Sequence, residues 1–196
     1  VRARMAGKKQ FDVDAVLDAA MVQFWRAGYA DTSIDDLSKA TGLNRSSIYA
    51  TFGDKDALYL RCLDRYAARY GDRYDQALAG GPAVDAVRAF FDVTLERIAD
   101  PDVPDGCLIA QTAMTTPVLN AAIAARASEA LGRQRARLRT ALSCTELAAS
   151  DVEDFAVHFA AVNQSLAVMS RAGTSEAELR TVTDISVNAL AQALRC

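Results

Sequence analysis

Between Val13 and Ala27 the apolar residues Val13, Val16, Leu17, Ala20 and Phe24 fall at i, i+3, i+4, i+7 and i+11. That spacing is one face of an α-helix, not the alternation of a strand. Asp12 precedes the run as a cap and Gly28 follows it as a stop. A second helix is predicted from Ile34 to about Ala40. Thr32 or Ser33 caps it, and Asp35 and Asp36 sit in its first turn, where the helix dipole favours acids. Gly42 makes a tight turn. Asn44 then caps a third short helix, about Arg45 to Thr51, which Gly53 ends. Asp54 opens a fourth that runs to Leu78, ahead of Gly80-Gly81-Pro82. The same reading gives helices over about Ala83 to Ala99, Cys107 to Met114 and Val118 to Leu142. Two more follow, one from Ser150 or Asp151 to Arg171 and one from Ser175 to Leu194. Asp100 to Gly106, Thr115-Thr116-Pro117 and Gly173 are the breaks. No segment alternates as a half-buried strand does, and no repeat recurs. The predicted fold is all-α with about nine helices: an N-terminal arm and three-helix unit over 1–58, joined through the long fourth helix to a larger helical unit over 59–196.

Composition agrees with that picture. About half the residues are apolar (51%) and only four are Pro, which favours helices and permits a sizeable core. No apolar run approaches the ~20 residues that span a bilayer. No apolar stretch with a cleavage site follows the basic N-terminal residues, so neither a secretory leader nor a membrane partner is expected, and the reading is cytoplasmic. Cys62, Cys107, Cys144 and Cys196 are widely spaced. They read as free thiols, with no zinc pattern and no cofactor implied.

The net charge of −3 is unhelpful to a DNA binder, but its distribution changes the picture. Arg2, Arg4, Lys8 and Lys9 precede any acid, and all four Lys of the chain lie before residue 56. A basic arm and a small unit ahead of an acidic body suit a DNA-binding module carrying a regulatory one.

The informative segment is Thr32 to Leu58, TSIDDLSKATGLNRSSIYATFGDKDAL. Two short helices joined by a Gly turn match a helix-turn-helix. Ile34, Leu37, Leu43, Ile48 and Phe52 would fix the angle between them, with Leu17 and Phe24 completing a small core. The third helix is then left with an outer face of Arg45, Ser46, Ser47, Ala50 and Thr51. Such a face can sink into a major groove. Arg45 can donate twice to a guanine edge, and Ser and Thr can bond bases or phosphate. Tyr49 can reach phosphate with its hydroxyl, and Lys55 lies in the next helix's first turn, whose backbone N–H groups attract phosphate. Thr32, Ser33 and Asn44 complete the candidate DNA contacts.

Over residues 16–58 the chain closely resembles the DNA-binding domain of TetR-family repressors. The matching pieces are Val16 to Tyr29, Thr32 to Leu43 and Ser46 to Leu58, with unbroken spacing. Asn44 stands where the family usually has Ser, and Ser47 where it commonly has Gly or another small residue; both bear on which bases are read. The resemblance implies an all-helical homodimer on double-stranded, palindromic operator DNA. A small ligand in the C-terminal domain would release that DNA. The fourth helix would be the lever.

The segment Asp105 to Ala113, DGCLIAQTA, resembles a Gly-Cys-Leu turn and helix of one branch of that family, which lines the ligand cavity. It nominates Cys107, Gln111 and Met114. Tyr66, Tyr70, Phe90, Phe91, Phe155, His158, Phe159 and Asn163 are further candidates, though any single one reads more readily as an ordinary core residue. Together they predict a small, largely apolar effector. A thiol near a helix N-terminus is activated, so Cys107 is also a candidate electrophile or oxidant sensor. For the dimer, Phe155, Phe159, Val162 and Leu166 are available on the eighth helix. Val182, Ile185, Ala189 and Leu190 are available on the ninth, enough for a four-helix interface. Arg133, Arg135, Arg137 and Arg139 do not share one helical face and read as solvated and ion-paired.

Competing functions find less support. No phosphate-binding Gly loop, H-E-x-x-H or G-x-S-x-G is present, and one His with dispersed Cys gives neither a metal site nor a nucleophile pair, so no catalytic residue is named. A ligand- or redox-sensing dimer of the same fold with weak or no DNA binding remains the alternative. Asp31, Asp35, Asp36 and Asp56 near the candidate interface make it conceivable.

Overall fold

The computed structural model of the chain describes residues 11–115 and 119–195. The basic residues Arg2, Arg4, Lys8 and Lys9, the Thr116-Pro117-Val118 step and Cys196 lie outside the described residues. Within them the order is α1 (Val13–Ala27), α2 (Ile34–Thr41), α3 (Arg45–Phe52), α4 (Lys55–Leu78), α5 (Ala83–Ala99), α6 (Leu108–Met114), α7 (Ala121–Leu142), α8 (Ala149–Arg171) and α9 (Glu176–Ala193). No helix among them is long and apolar enough to cross a membrane.

Local capping starts most of these helices where the sequence predicts. The Asp12 carboxylate accepts from Asp14 N and Ala15 N. Ser33 and Asp36 form a reciprocal capping box at α2, as Ser175 and Glu178 do at α9. Asn44 accepts from Ser47 N and Asp54 from Ala57 N. Each such cap is worth about 1 kcal/mol. Gly42 ends α2 at φ 70°, a left-handed conformation that costs glycine little.

Three starts differ from expectation. Cys107 is the residue before α6 and offers no side-chain cap. The seventh helix begins at Ala121, where the Asn120 side chain accepts from Ile123 N. The eighth begins at Ala149, after an Ala148 without a capping side chain, so neither Ser150 nor Asp151 caps it. Near that end Val152 is buried and Glu153 pairs with Arg135 and Arg139 of α7.

The helices α1, α2 and α3 close on Leu17, Phe24, Leu37, Ile48 and Phe52, all buried. The helix α4 joins this head to the body, packing on α1 at one end and on α5 and α7 along its length. In the body α8 lies on α7, α9 lies on α5 and α8, and the short α6 sits among α7, α4 and α1.

Candidate functional site

The α3 helix buries Ile48 and Phe52 and turns Arg45, Ser46, Tyr49 and Ala50 to solvent, with Ser47 and Thr51 half-exposed. Its two-turn length is set by the Asn44 cap and Gly53, and the turn from α2 is held by Gly42 and the Ser38 hydroxyl, which donates to the Leu43 carbonyl. Arg45 makes a two-point ion pair with Asp35 of α2, its Nε 2.5 Å from Asp35 Oδ1. That guanidinium holds the Asp35 carboxyl below its usual range. Arg45 is therefore already paired, and any other acceptor has to displace the Asp35 carboxylate. The Ser46 hydroxyl donates to Asn44 Oδ1 at 2.8 Å, leaving its oxygen as an acceptor. Lys55 lies half-buried over the Tyr29 ring at 4.2 Å, and burial lowers its pKa.

One candidate leaves the interface. Thr32 is fully buried, and its hydroxyl donates to the Gly28 carbonyl at 2.6 Å. Its role is to tie the α1–α2 turn, and the hydroxyl is not on offer to DNA. Ser33 is exposed but engaged in the capping box with Asp36.

In the body a cavity of about 50 Å³ lies between α4, α5, α7 and α8, with Cys107 and Ile109 closing it. Of the nominated ligand residues, Tyr66, Tyr70, Cys107 and Asn163 line it. The others do not. Phe90, Phe91 and Phe159 are core residues in edge-on contact with one another. Phe155 is partly buried and stacks on Phe159. His158 is exposed, with Nε2 3.2 Å from the Ser186 hydroxyl of α9. Gln111 and Met114 border a separate recess of about 60 Å³ beside Arg171.

The lining, still mostly apolar, also holds polar groups that the sequence reading did not nominate. Tyr74, Arg97, Gln134 and Gln164 line it, as do Arg133 and Arg137. Tyr74 and Thr94 share a hydrogen bond of 2.7 Å, and Thr94 donates to Asn163 Oδ1 at 2.6 Å. The sequence held a signal for Arg97. It falls seven residues after Phe90 and three after Thr94, on the inward face of α5. Tyr66, Tyr70 and Tyr74 likewise recur every fourth residue along α4.

The head packs against the cavity's wall. Trp25, fully buried near the end of α1, meets the Tyr66 ring edge-on at 5.0 Å and donates its Nε1–H to the Asp105 carbonyl at 3.1 Å. Arg171 of α8 donates to Gln111 on α6 and to the Arg26 carbonyl at the end of α1. Gly28 permits that approach, since a Cβ there would sit 3.0 Å from Gln111 Nε2. A change in the cavity thus reaches α1 through one layer of side chains.

The expected dimer residues divide. Phe159, Leu166 and Leu190 are buried in the subunit's own core, so they are not available to a partner, and Phe155, Val162 and Val182 are partly buried. Ile185 and Ala189 are exposed, as are Val157, Ala161 and Val168 on α8, which the sequence reading passed over. The arginine stretch behaves as expected: Arg135 and Arg139 pair with Glu153, Arg137 with Asp75, and Arg133 with Glu129.

Against known proteins, residues 16–62 match the family model described as "Bacterial regulatory proteins, tetR family". Residues 83–185 match the one described as "Tetracyclin repressor-like, C-terminal domain". The chain belongs to the TetR family. It is 36% identical over 109 residues to the HTH-type transcriptional repressor ComR of Escherichia coli K12, a match covering 55% of this chain and 52% of ComR. It is 32% identical over 111 residues to the HTH-type transcriptional regulator YezE of Bacillus subtilis 168, covering 56% of this chain and 57% of YezE. The matched part spans about half the length of these curated relatives. Among solved structures it is similar to a cysteine mutant of the TetR family transcriptional regulator CifR complexed with 26 bp double-strand operator DNA. The TM-score is 0.83 at 31% identity, covering 93% of this chain and 98% of that one.

Proposed function

We propose that this chain is a transcriptional regulator that binds palindromic operator DNA as a homodimer and releases it when a small molecule enters the body cavity. The observation that carries the reading is the outer face of α3, where Arg45, Ser46, Tyr49, Ala50 and Thr51 stand over a core closed by Ile48 and Phe52. The repressor name of ComR and the operator complex of CifR support it. Two such heads must sit about 34–36 Å apart to enter successive major grooves. The exposed apolar residues Val157, Val168 and Ile185 suit a partner's α8 and α9. The chain's role is binding rather than catalysis, in the cytoplasm where the DNA is.

Gating follows from linkage. A ligand that fits the cavity only when Trp25 and α1 shift would favour one of two head spacings by its differential affinity. The test is a gel shift on DNA from upstream of the chain's own gene, repeated at rising salt. Binding is expected to weaken with salt, and Arg45→Glu to weaken it by roughly a hundredfold or more while the dimer persists in sedimentation. An Arg45→Glu protein that binds as well as the parent defeats this placement of the recognition helix. A parent without a salt-sensitive shift supports the alternative, a sensing dimer with weak or no DNA binding. The pairing of Arg45 with Asp35 is the observation in its favour.

A further inference from the structure

Arg97 is 4% exposed, yet among the described residues no carboxylate pairs with it. One Nη1–H goes to the Gly106 carbonyl. The guanidinium carbon lies 5.7 Å from the Trp25 ring centre and 5.6 Å from that of Tyr70. Ring faces offset a buried cation only in part, and burying an uncompensated charge costs several kcal/mol. The neighbouring phenols do not neutralise it, because burial raises the pKa of both Tyr66 and Tyr70 and keeps them protonated.

The rest of the wall carries the same sign. Arg97, Arg133 and Arg137 line the cavity, and no Asp or Glu does. Arg137 is already held by Asp75 at 2.7 Å, and Arg133 lies 3.8 Å from Glu129, which leaves Arg97 as the unmatched charge. On the same lining the Gln164 Oε1 atom is buried without a hydrogen-bond donor, while its Nε2 donates to Gln134.

The geometry points to a small organic carboxylate as the effector, its oxygens accepting from Arg97 and a hydroxyl or similar donor on it meeting Gln164 Oε1. This rests on the effector-gated reading above and narrows its ligand class. The cavity of about 50 Å³ has room for roughly three or four water molecules, so the ligand is a few heavy atoms in size.

Trp25 is the single Trp of the chain and touches Tyr66 within the lining, so its fluorescence reports the cavity directly. Titrating the full chain with propanoate, 2-hydroxypropanoate and butanoate, each beside its neutral amide, tests the inference. The carboxylates are expected to bind roughly tenfold to a hundredfold tighter than the amides. The hydroxy acid should be the tightest of the set. Arg97→Met should remove the preference for carboxylate, and Arg97→Lys should retain part of it. Gln164→Leu should erase the advantage of the hydroxy acid and leave propanoate unchanged, which keeps the test open if Arg97→Met fails to fold. Equal binding of acids and amides, or no response to any carboxylate, overturns the inference. A parallel gel shift separates the two readings. Carboxylate binding without DNA release leaves this site standing and removes the gating. Release by neutral compounds alone does the reverse.

Discussion

In the head, the side chains that cap the helices find their partners within a few residues: Asp12 with Asp14 and Ala15, Ser33 with Asp36, Asn44 with Ser47, Asp54 with Ala57. In the body, the partners are far apart along the chain. Thr94 and Asn163 are 69 residues apart and Tyr59 and Thr112 are 53 apart, while Asp105 takes the indole N–H of Trp25 in the head, 80 residues away. The head can thus form from local instructions and present a fixed surface. These buried polar groups of the body are satisfied only once several helices have assembled, and Arg97 and Gln164 Oε1 remain short of partners even then. A reading surface needs rigidity of its own, whereas a sensing cavity needs groups that a ligand can complete.

The sharpest way to test this contrast is to remove one hydroxyl from each region. Thr94→Val keeps the shape of the buried side chain but deprives Asn163 Oδ1 of its donor and Tyr74 of a partner. Leaving a buried polar atom unpaired costs about 1–3 kcal/mol, and the upper half of that range is expected here. Thermal and denaturant unfolding measure it. A Thr94→Val protein as stable as the parent would show that the network is not what holds α4, α5 and α8 together. Ser33→Ala, in the head, opens the capping box of α2, whose freed N–H groups can turn to water because Ser33 is exposed. A loss of about 1 kcal/mol is expected, with operator affinity falling alongside as α2 loosens under α3. If Ser33→Ala costs more than Thr94→Val, the contrast between local and long-range satisfaction fails.

The same contrast explains what the sequence revealed. Helix starts at Asp12, Ser33, Asn44, Asp54 and Ser175 were legible because a cap is a local event between residues three apart. The start of α8 was not, since Ala148 carries no signal and tertiary packing decides it. At the interface, a short helix with an apolar inner face left its outer face readable, apart from Thr32, whose burial depends on how the turn closes over Gly28. In the body, aromatic residues drew attention because apolar pockets are common, yet Phe90, Phe91 and Phe159 fill the core. Arg97, a charge on an inward helical face, was the stronger sign. Whether an inward position meets a neighbour or a void depends on packing between helices, and one sequence does not encode that locally.

The smallest effect expected belongs to the seam between the two regions. Asp18 of α1 bonds Arg65 of α4 at 2.7 Å and Arg69 at 2.6 Å. The Arg65 hydrogen bond is the main cause that lowers the Asp18 pKa; partial burial opposes it, and the charges of Arg69 and Arg65 lower it further. A carboxylate whose pKa is depressed on folding binds its proton less readily in the folded chain than in the unfolded one. It therefore contributes stability above the unfolded value of about 3.9 and loses it as pH falls through the lower folded value. Asp18 is partly exposed, so solvent screens the pair and the contribution is modest. Asp18→Asn should lower the melting temperature by a small, constant amount from neutral pH down to about pH 5. Below about pH 4 the gap to the parent should close, because the parent's own carboxylate is then being protonated. Raising the salt should shrink the neutral-pH gap far more than it changes the loss caused by Thr94→Val, since only the seam is screened. A gap that persists unchanged into acid would assign the effect of Asp18→Asn to helix packing, and the α1–α4 seam would then resemble the body, not the head, in how it is held.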